Sequence, residues 1–330
     1  MNGENPMQHE ERHLESILTL EHVGERGRSQ YAWRRPRSPP TDAQLAHCGF
    51  PGACWSTGIS RDLPNLLLLL HGLGDNPVAF ARFAAQLQLP QTSALALPAP
   101  LPLPLGIPGT MWCESFSADG SLIARSSPKA DRRRLEDSIS SVTRVRLRRL
   151  LALLVRHGGW RLERIFIFGF AQGGSAALDL LEHIDSLDEN SGGCTGAEAG
   201  RLGGVVSWCG FPVTEGSPLA DRRVLGSRTP LLVVCGETDE QTAPETARRL
   251  FEDMLARWQP RHLSPSSHAL DESPAPPKPS ETEQTLKELP GRGQGMVSSA
   301  SEARLLMEFF ARNLSLSSAL EDDPNVVRMS

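Results

Sequence analysis

Three short segments of this 330-residue chain carry residue types from which a carbonyl-attacking site could be built. The first is Ile165-Phe166-Ile167-Phe168-Gly169-Phe170-Ala171-Gln172-Gly173-Gly174, an apolar run that turns small and leads at once into the helical pattern Ala176 to Ile184. Glycines at 169 and 173 allow a tight strand-to-helix turn whose middle residue projects above a sheet, the pattern of a nucleophile elbow. A nucleophilic serine would stand at that tip, but the side chain there is the methyl of Ala171. Taken alone, Gly-x-Ala-x-Gly is equally an ordinary glycine-rich turn, because it holds no reactive group.

The second segment follows the apolar Leu66 to Leu70 and reads His71-Gly72-Leu73-Gly74-Asp75-Asn76. A glycine-rich turn in this place can aim backbone N–H groups into a site. Those of Leu73 and Gln172 are the candidate pair for an oxyanion hole. As a lone motif the same residues could be a simple turn, with His71 supporting it. The third segment, Gly236-Glu237-Thr238-Asp239, places a carboxylate just after the strand-like Leu231 to Cys235.

Other reactive groups are poorly placed. Ser175 would sit about one helical turn beyond the elbow and point away from it. Cys113 and Ser115 lie on a loop with no histidine evidently set to activate them. His262 and His268 are the only histidines after Asp239, and both fall at or inside a Ser/Pro-rich stretch. They read as exposed, with His268 alone able to fold back. His, Cys, Asp and Glu never fall into a ligand cluster, so neither a metal nor a cofactor is expected.

These segments need a scaffold that collects the ends of several strands. Leu66 to Leu70, Ala94 to Leu97, Ile165 to Phe168, Val205 to Trp208 and Leu231 to Cys235 read as strands buried on both faces, as in parallel sheets. Helical patterns alternate with them, clearest over Pro244 to Trp258 and Leu135 to His157. The arginines at 144, 146, 148 and 149 are expected on a solvated face. Strand-helix alternation predicts an α/β, doubly wound, mostly parallel sheet with helices on both faces and its functional loops at the strands' carboxyl ends.

Three stretches are expected to stand outside that domain, which is assigned to residues 61–316. Residues 1 to about 60 mix charge with Pro, Gly and Ser and read as mostly disordered. The Ser/Pro/Glu-rich 263–284 reads as a flexible insertion, and 317–330 as a disordered tail. At 39% hydrophobic the chain can bury one substantial core. A net charge of −5 gives no general attraction to phosphate backbones, so nucleic acid is not an expected partner. Six scattered cysteines read as buried free thiols, and no apolar run approaches the ~20 residues of a membrane span. A charged amino terminus unlike a secretory signal completes the expectation of a cytoplasmic protein without stable membrane insertion.

Four segments together carry a specific resemblance: the HGLGD turn, the Trp112-Cys113-Glu114 loop after a Pro-rich stretch, the GFAQGG elbow and Gly236-Glu237-Thr238-Asp239. Their order and spacing, over roughly Leu66 to Leu314, resemble the acyl-protein thioesterase and carboxylesterase family of α/β-hydrolases. The resemblance implies that Ala171 holds the nucleophile position, Asp239 the triad acid and Gln294, in the loop Leu289 to Ser299, the place of the base histidine. It further implies a ligand that is an acyl ester or thioester, an acylated protein among the candidates. Leu73, Trp112 and the Leu101 to Pro108 run would then wall an acyl cleft, although a Pro-rich loop covering a core edge fits the last equally.

Loss of the serine from such a triad lowers turnover by roughly a millionfold, about 8 kcal/mol, and loss of the histidine adds little because the two act as a unit. Three functional readings follow from the residues. One is a catalytically silent homologue that keeps acyl-ligand binding; another is an active ester or thioester hydrolase with a non-standard nucleophile or base. The third is an interaction scaffold using the amino-terminal segment and the insertion.

Overall fold

In the computed structural model, residues 37–183, 200–213, 228–258 and 283–316 are described. The chain enters through helix α1 (Asp42–His47), started by a capping box in which Thr41 and Gln44 satisfy each other's backbone N–H groups. Strand β1 (Cys54–Trp55) and strand β2 (Asn65–Leu70) follow. Asn76 caps helix α2 (Pro77–Leu87), accepting from Val78 and Ala79, and Pro77 supplies a preset φ in the first turn. Next come β3 (Thr92–Leu97) and the small hairpin of β4 (Leu101–Pro102) and β5 (Thr110–Met111).

Helix α3 (Lys129–Ser138) continues through a π-helical stretch, Ile139–Thr143, into α4 (Arg144–Arg156). The helix expected from Leu135 is present but begins six residues earlier, at Lys129, because none of the residues of its first turns is buried and the apolar pattern does not mark them. Then come β6 (Ile165–Phe170), α5 (Gln172–His183), β7 (Gly204–Trp208), β8 (Leu231–Gly236), α6 (Pro244–Trp258), β9 (Gln284–Leu289) and α7 (Ala300–Asn313).

Seven strands pair in the order β1-β3-β2-β6-β7-β8-β9, parallel throughout except that β1 runs antiparallel to β3. The five apolar runs are five neighbouring strands of this sheet. Side chains alternate across it: Leu66, Leu68 and Leu70 of β2 join the core with α4, α5 and α6, while Leu67 and Leu69 face the core with α2 and α7. A sheet covered on both faces explains why its strands read as unbroken apolar runs. The edge strand β9 is only half buried, so its sequence QTLKEL carries no such signal.

Two expectations need correction. Residues 37–60, placed in a disordered extension, fold onto the domain: Leu45 and Phe50 are buried, and Trp55 stacks on Trp160 at 6.5 Å between ring centroids. Their anchors are single large side chains spaced among Pro, Gly and charge, a pattern without periodicity. The arginines of α4 are not a uniform solvated face either. Arg144 binds the buried Asp179, and Arg146 donates to the carbonyls of Gly49 and Pro100. Residues 1–36, most of the 263–284 insertion with His262 and His268, and the 317–330 tail lie outside the described residues.

Candidate active site

The sharpest backbone feature lies at the end of β6. Ala171 has φ +48°, in the left-handed region that costs an L-residue about 1–2 kcal/mol. Its neighbours impose the conformation. The N–H of Ala171 donates to Trp208 O at 2.8 Å, and its carbonyl accepts from Ser175 N at 3.0 Å. A Cβ on Gly169 would come within 2.4 Å of Gly173 O, and one on Gly173 within 2.3 Å of Leu70 O. Both glycines are therefore required by close backbone approach, as the elbow pattern predicts.

The turn after β2 is held by a buried histidine of defined tautomer. Ala99 N donates to His71 Nε2 at 3.0 Å, so Nδ1 carries the proton and donates to Gly72 O at 2.7 Å. Burial pushes the imidazole pKa below its usual value, which favours this neutral form. The Trp112 indole donates to His71 O at 2.8 Å.

Gln172 joins this turn region to the elbow. Its side-chain carbonyl accepts from Trp112 N at 2.6 Å, and its amide donates to Cys113 O at 3.2 Å and to the Ser115 hydroxyl. The backbone N–H groups of Leu73 and Gln172 have no acceptor among the described residues, which leaves both available to a ligand oxygen.

Asp239 follows β8 and is 4% exposed. One carboxylate oxygen accepts from Gln241 N at 2.9 Å and Thr242 N at 3.2 Å; the other is buried without a hydrogen-bond partner. The loop after β9 packs against this acid loop. Thr238 N donates to Arg292 O at 2.8 Å, and Trp208 Nε1 donates to Gly295 O at 2.9 Å. Gln294, exposed, donates its amide to Gln241 Oε1 at 3.4 Å rather than to Asp239.

These loops meet around one open cavity of 570 Å³. Leu73, Ala171, Gln172 and Gln294 all line it, and Glu240, Gln241 and Thr242 bring the acid loop to its wall. Leu122, Ile123, Leu135, Phe211 and Val213 supply the apolar surface. Trp112, expected on the cleft wall, is instead fully buried as the tie between His71 and Gln172. The Leu101 to Pro108 run does not line the cavity; it forms the hairpin, whose tip exposes Leu105 and Ile107.

Alternative nucleophiles are not activated. Ser175 lines the cavity, yet its hydroxyl donates back to Ala171 O at 3.4 Å and accepts from Phe211 N at 3.2 Å. Cys113 is fully buried, and its thiol is pushed up to about 12, chiefly by burial. Cys209, which sequence reasoning did not single out, borders the cavity with φ +59° and a thiol pushed up by burial to about 11. Such thiols stay protonated near neutral pH. Only the ends of neighbouring strands could have pointed to Cys209, because nothing in Trp208-Cys209-Gly210 marks it. Among the described residues, no histidine lines the cavity.

Residues 60–269 match the phospholipase/carboxylesterase family, and the chain belongs to that family, with the α/β-hydrolase fold. An uncharacterised hydrolase of Mycosarcoma maydis is 37% identical over 148 residues, 44% of this chain. The chain spans about half the length of that curated relative, 52%. Among solved structures, esterase PE8 superposes with a TM-score of 0.55 at 16% identity, covering 79% of this chain and 98% of its own. SOBER1 of Arabidopsis thaliana gives 0.52 at 17%, covering 76% and 99%, and a Bacillus cereus carboxylesterase 0.52 at 17%, covering 79% and 93%. At these identities the structural likeness bears on the fold. No helix among the described residues is long and apolar enough to cross a membrane.

Proposed function

We propose that this chain is a catalytically silent homologue of the carboxylesterases and acyl-protein thioesterases, a receptor for acyl esters, thioesters or acylated proteins that it binds without turning over. The observation that carries the reading is the methyl of Ala171 on an intact left-handed elbow, in a cavity with no imidazole among its described lining residues. Alanine cannot form an acyl-enzyme, and the amide of Gln294 cannot act as a general base near neutral pH. What remains is binding: an apolar wall and two unpaired N–H groups suited to a carbonyl oxygen. The residual rate such groups sustain is on the order of a thousandfold over water, far below that of a working triad. The described cysteines Cys48, Cys54, Cys113, Cys209 and Cys235 are free thiols, which supports a reducing, cytoplasmic setting.

Ester and thioester hydrolysis by the natural chain, beside the double variant Ala171→Ser, Gln294→His, tests the reading. The natural chain should bind a long-chain acyl ligand and release no product, while the double variant gains turnover. Stoichiometric labelling of the natural chain by a serine-directed fluorophosphonate, with esterase activity co-purifying, would overturn it.

A further inference from the structure

We infer that His71 is the positioning residue for the Leu73 N–H, holding it in the direction from which a ligand carbonyl is received; the inference deepens the receptor reading above and rests on it. The carbonyl of Gly72 and the N–H of Leu73 belong to one peptide unit. In a trans unit that oxygen and that hydrogen share a plane and point in opposite directions, so fixing one fixes the other. Gly72 O accepts from His71 Nδ1 at 2.7 Å and from Asp75 N at 3.2 Å. The N–H on the opposite edge has no acceptor among the described residues, and Leu73 lines the cavity. A carbonyl that accepts hydrogen bonds also polarises its peptide unit, which makes the N–H a stronger donor.

The imidazole is in turn held by other elements. Ala99 N, just after β3, and the Thr110 hydroxyl on β5 stand 3.0 and 3.2 Å from Nε2. A backbone N–H can only donate, so Nε2 accepts and the proton that reaches Gly72 O stays on Nδ1. Phe80 of α2 and Trp112 pack against the ring, at 6.1 and 5.6 Å between centroids. The far side of Leu73 is pinned as well, since Gly74 N donates to Thr110 O at 2.9 Å. From His71 O the Trp112 indole and backbone N–H lead to the side chain of Gln172, the residue that supplies the second donor. One connected set of hydrogen bonds therefore relates the two N–H groups to each other, and His71 is its end at Leu73.

Two probes isolate the carbonyl: methyl dodecanoate and dodecyl methyl ether, in which a methylene replaces the C=O. The ratio of their Kd values, from calorimetry on the full chain, cancels the apolar contacts and any general loosening of the fold. The natural chain should favour the ester by about tenfold, the size expected for two net hydrogen bonds to a neutral carbonyl. His71→Leu leaves the Gln172 donor alone and should lower the ratio to about threefold. His71→Asn, whose amide carries an N–H at the place of Nδ1, should keep it at about tenfold, a rescue that a space-filling role would not produce. Nitrogen NMR of the imidazole in the natural chain adds a readout that needs no variant to fold: the proton belongs on Nδ1, and a proton on Nε2 overturns the inference. Equal binding of the two probes by the natural chain, an unchanged ratio in His71→Leu, or a fall in His71→Asn to the leucine value overturns it too and leaves the receptor reading standing. Failure of the natural chain to bind the ester overturns the receptor reading itself.

Discussion

Arg144 grips Asp179 through two hydrogen bonds, Nε to Oδ2 at 2.8 Å and a terminal nitrogen to Oδ1 at 2.6 Å. Asp179 is 2% exposed and lies on α5, the helix that springs from the elbow. Arg257 of α6 holds Glu182 on the same helix, at 3.0 Å from its Nε. The elbow helix is thus clamped on either side by charge pairs largely withdrawn from water.

Removing one partner of such a pair leaves the other charge buried and unmatched. Arg144→Ala should therefore lower unfolding free energy by about 3–5 kcal/mol, read as a fall in the urea midpoint. Arg144→Lys should recover only part of it, because an ammonium cannot reproduce the two-pronged geometry. A loss below about 1 kcal/mol would place this pair among ordinary surface salt bridges.

Gln172 is the joint between elbow and Trp112 loop. In Gln172→Ala the N–H of Trp112 loses its acceptor in a region of low exposure, at a cost of about 1–3 kcal/mol. Hydrogen exchange at residues 112–115 should accelerate more than in α7, on the far side of the sheet. Uniform acceleration across the protein would contradict a local role.

Phe50 tests whether residues 37–60 belong to the domain. It is wholly buried and lies 6.4 Å from the Trp112 ring. Phe50→Ala should cost about 3–5 kcal/mol, the range for a large core truncation, and should shift tryptophan fluorescence. A variant as stable as the parent would return this segment to the disordered class.

Acid should weaken the fold through one buried and one partly buried imidazole, those of His71 and His183. Burial lowers the pKa of both His71 and His183, against the opposing pull of Asp75 on the first and Asp179 on the second. Below about pH 6.5 the unfolded chain takes up protons that these folded histidines still refuse, so stability falls as pH drops through that value toward the folded pKa. Glu182 acts with the opposite sign: burial raises its pKa, despite Arg257, so its contribution is lost as pH rises through the folded value. Urea unfolding followed from about pH 7.5 to about 6 should show declining stability, and His183→Gln should flatten the decline. A curve that rises over this interval would contradict the assignment.

Much of this arrangement was legible in the residues themselves. Five apolar runs announced the central strands because a sheet covered on both faces leaves its strands no polar alternation. The elbow announced itself because only glycine fits at 169 and 173. What escaped has physical reasons. Strand β9 is an edge and reads as polar, and Phe50 and Trp55 anchor an aperiodic segment. Arg144 looks like any helix-surface arginine until Asp179, 35 residues away, is brought beneath it. The unpaired oxygen of Asp239 is likewise invisible in sequence, since it depends on how the loop after β8 folds its backbone around only one side of the carboxylate.

The backbone at Ala171 has a consequence beyond this molecule. Its unfavourable φ is set by the hydrogen bond it donates to Trp208, the one it accepts from Ser175 and backbone crowding at Gly169 and Gly173, none of which involves the atoms beyond Cβ at the tip. The mould is cast by the surroundings, so it keeps its form whether or not anything reactive is mounted in it. Proteins of this plan can lose or regain their chemistry without a trace in overall shape, and superposition alone sorts the mute from the working only when the side chain at the crest is read as well.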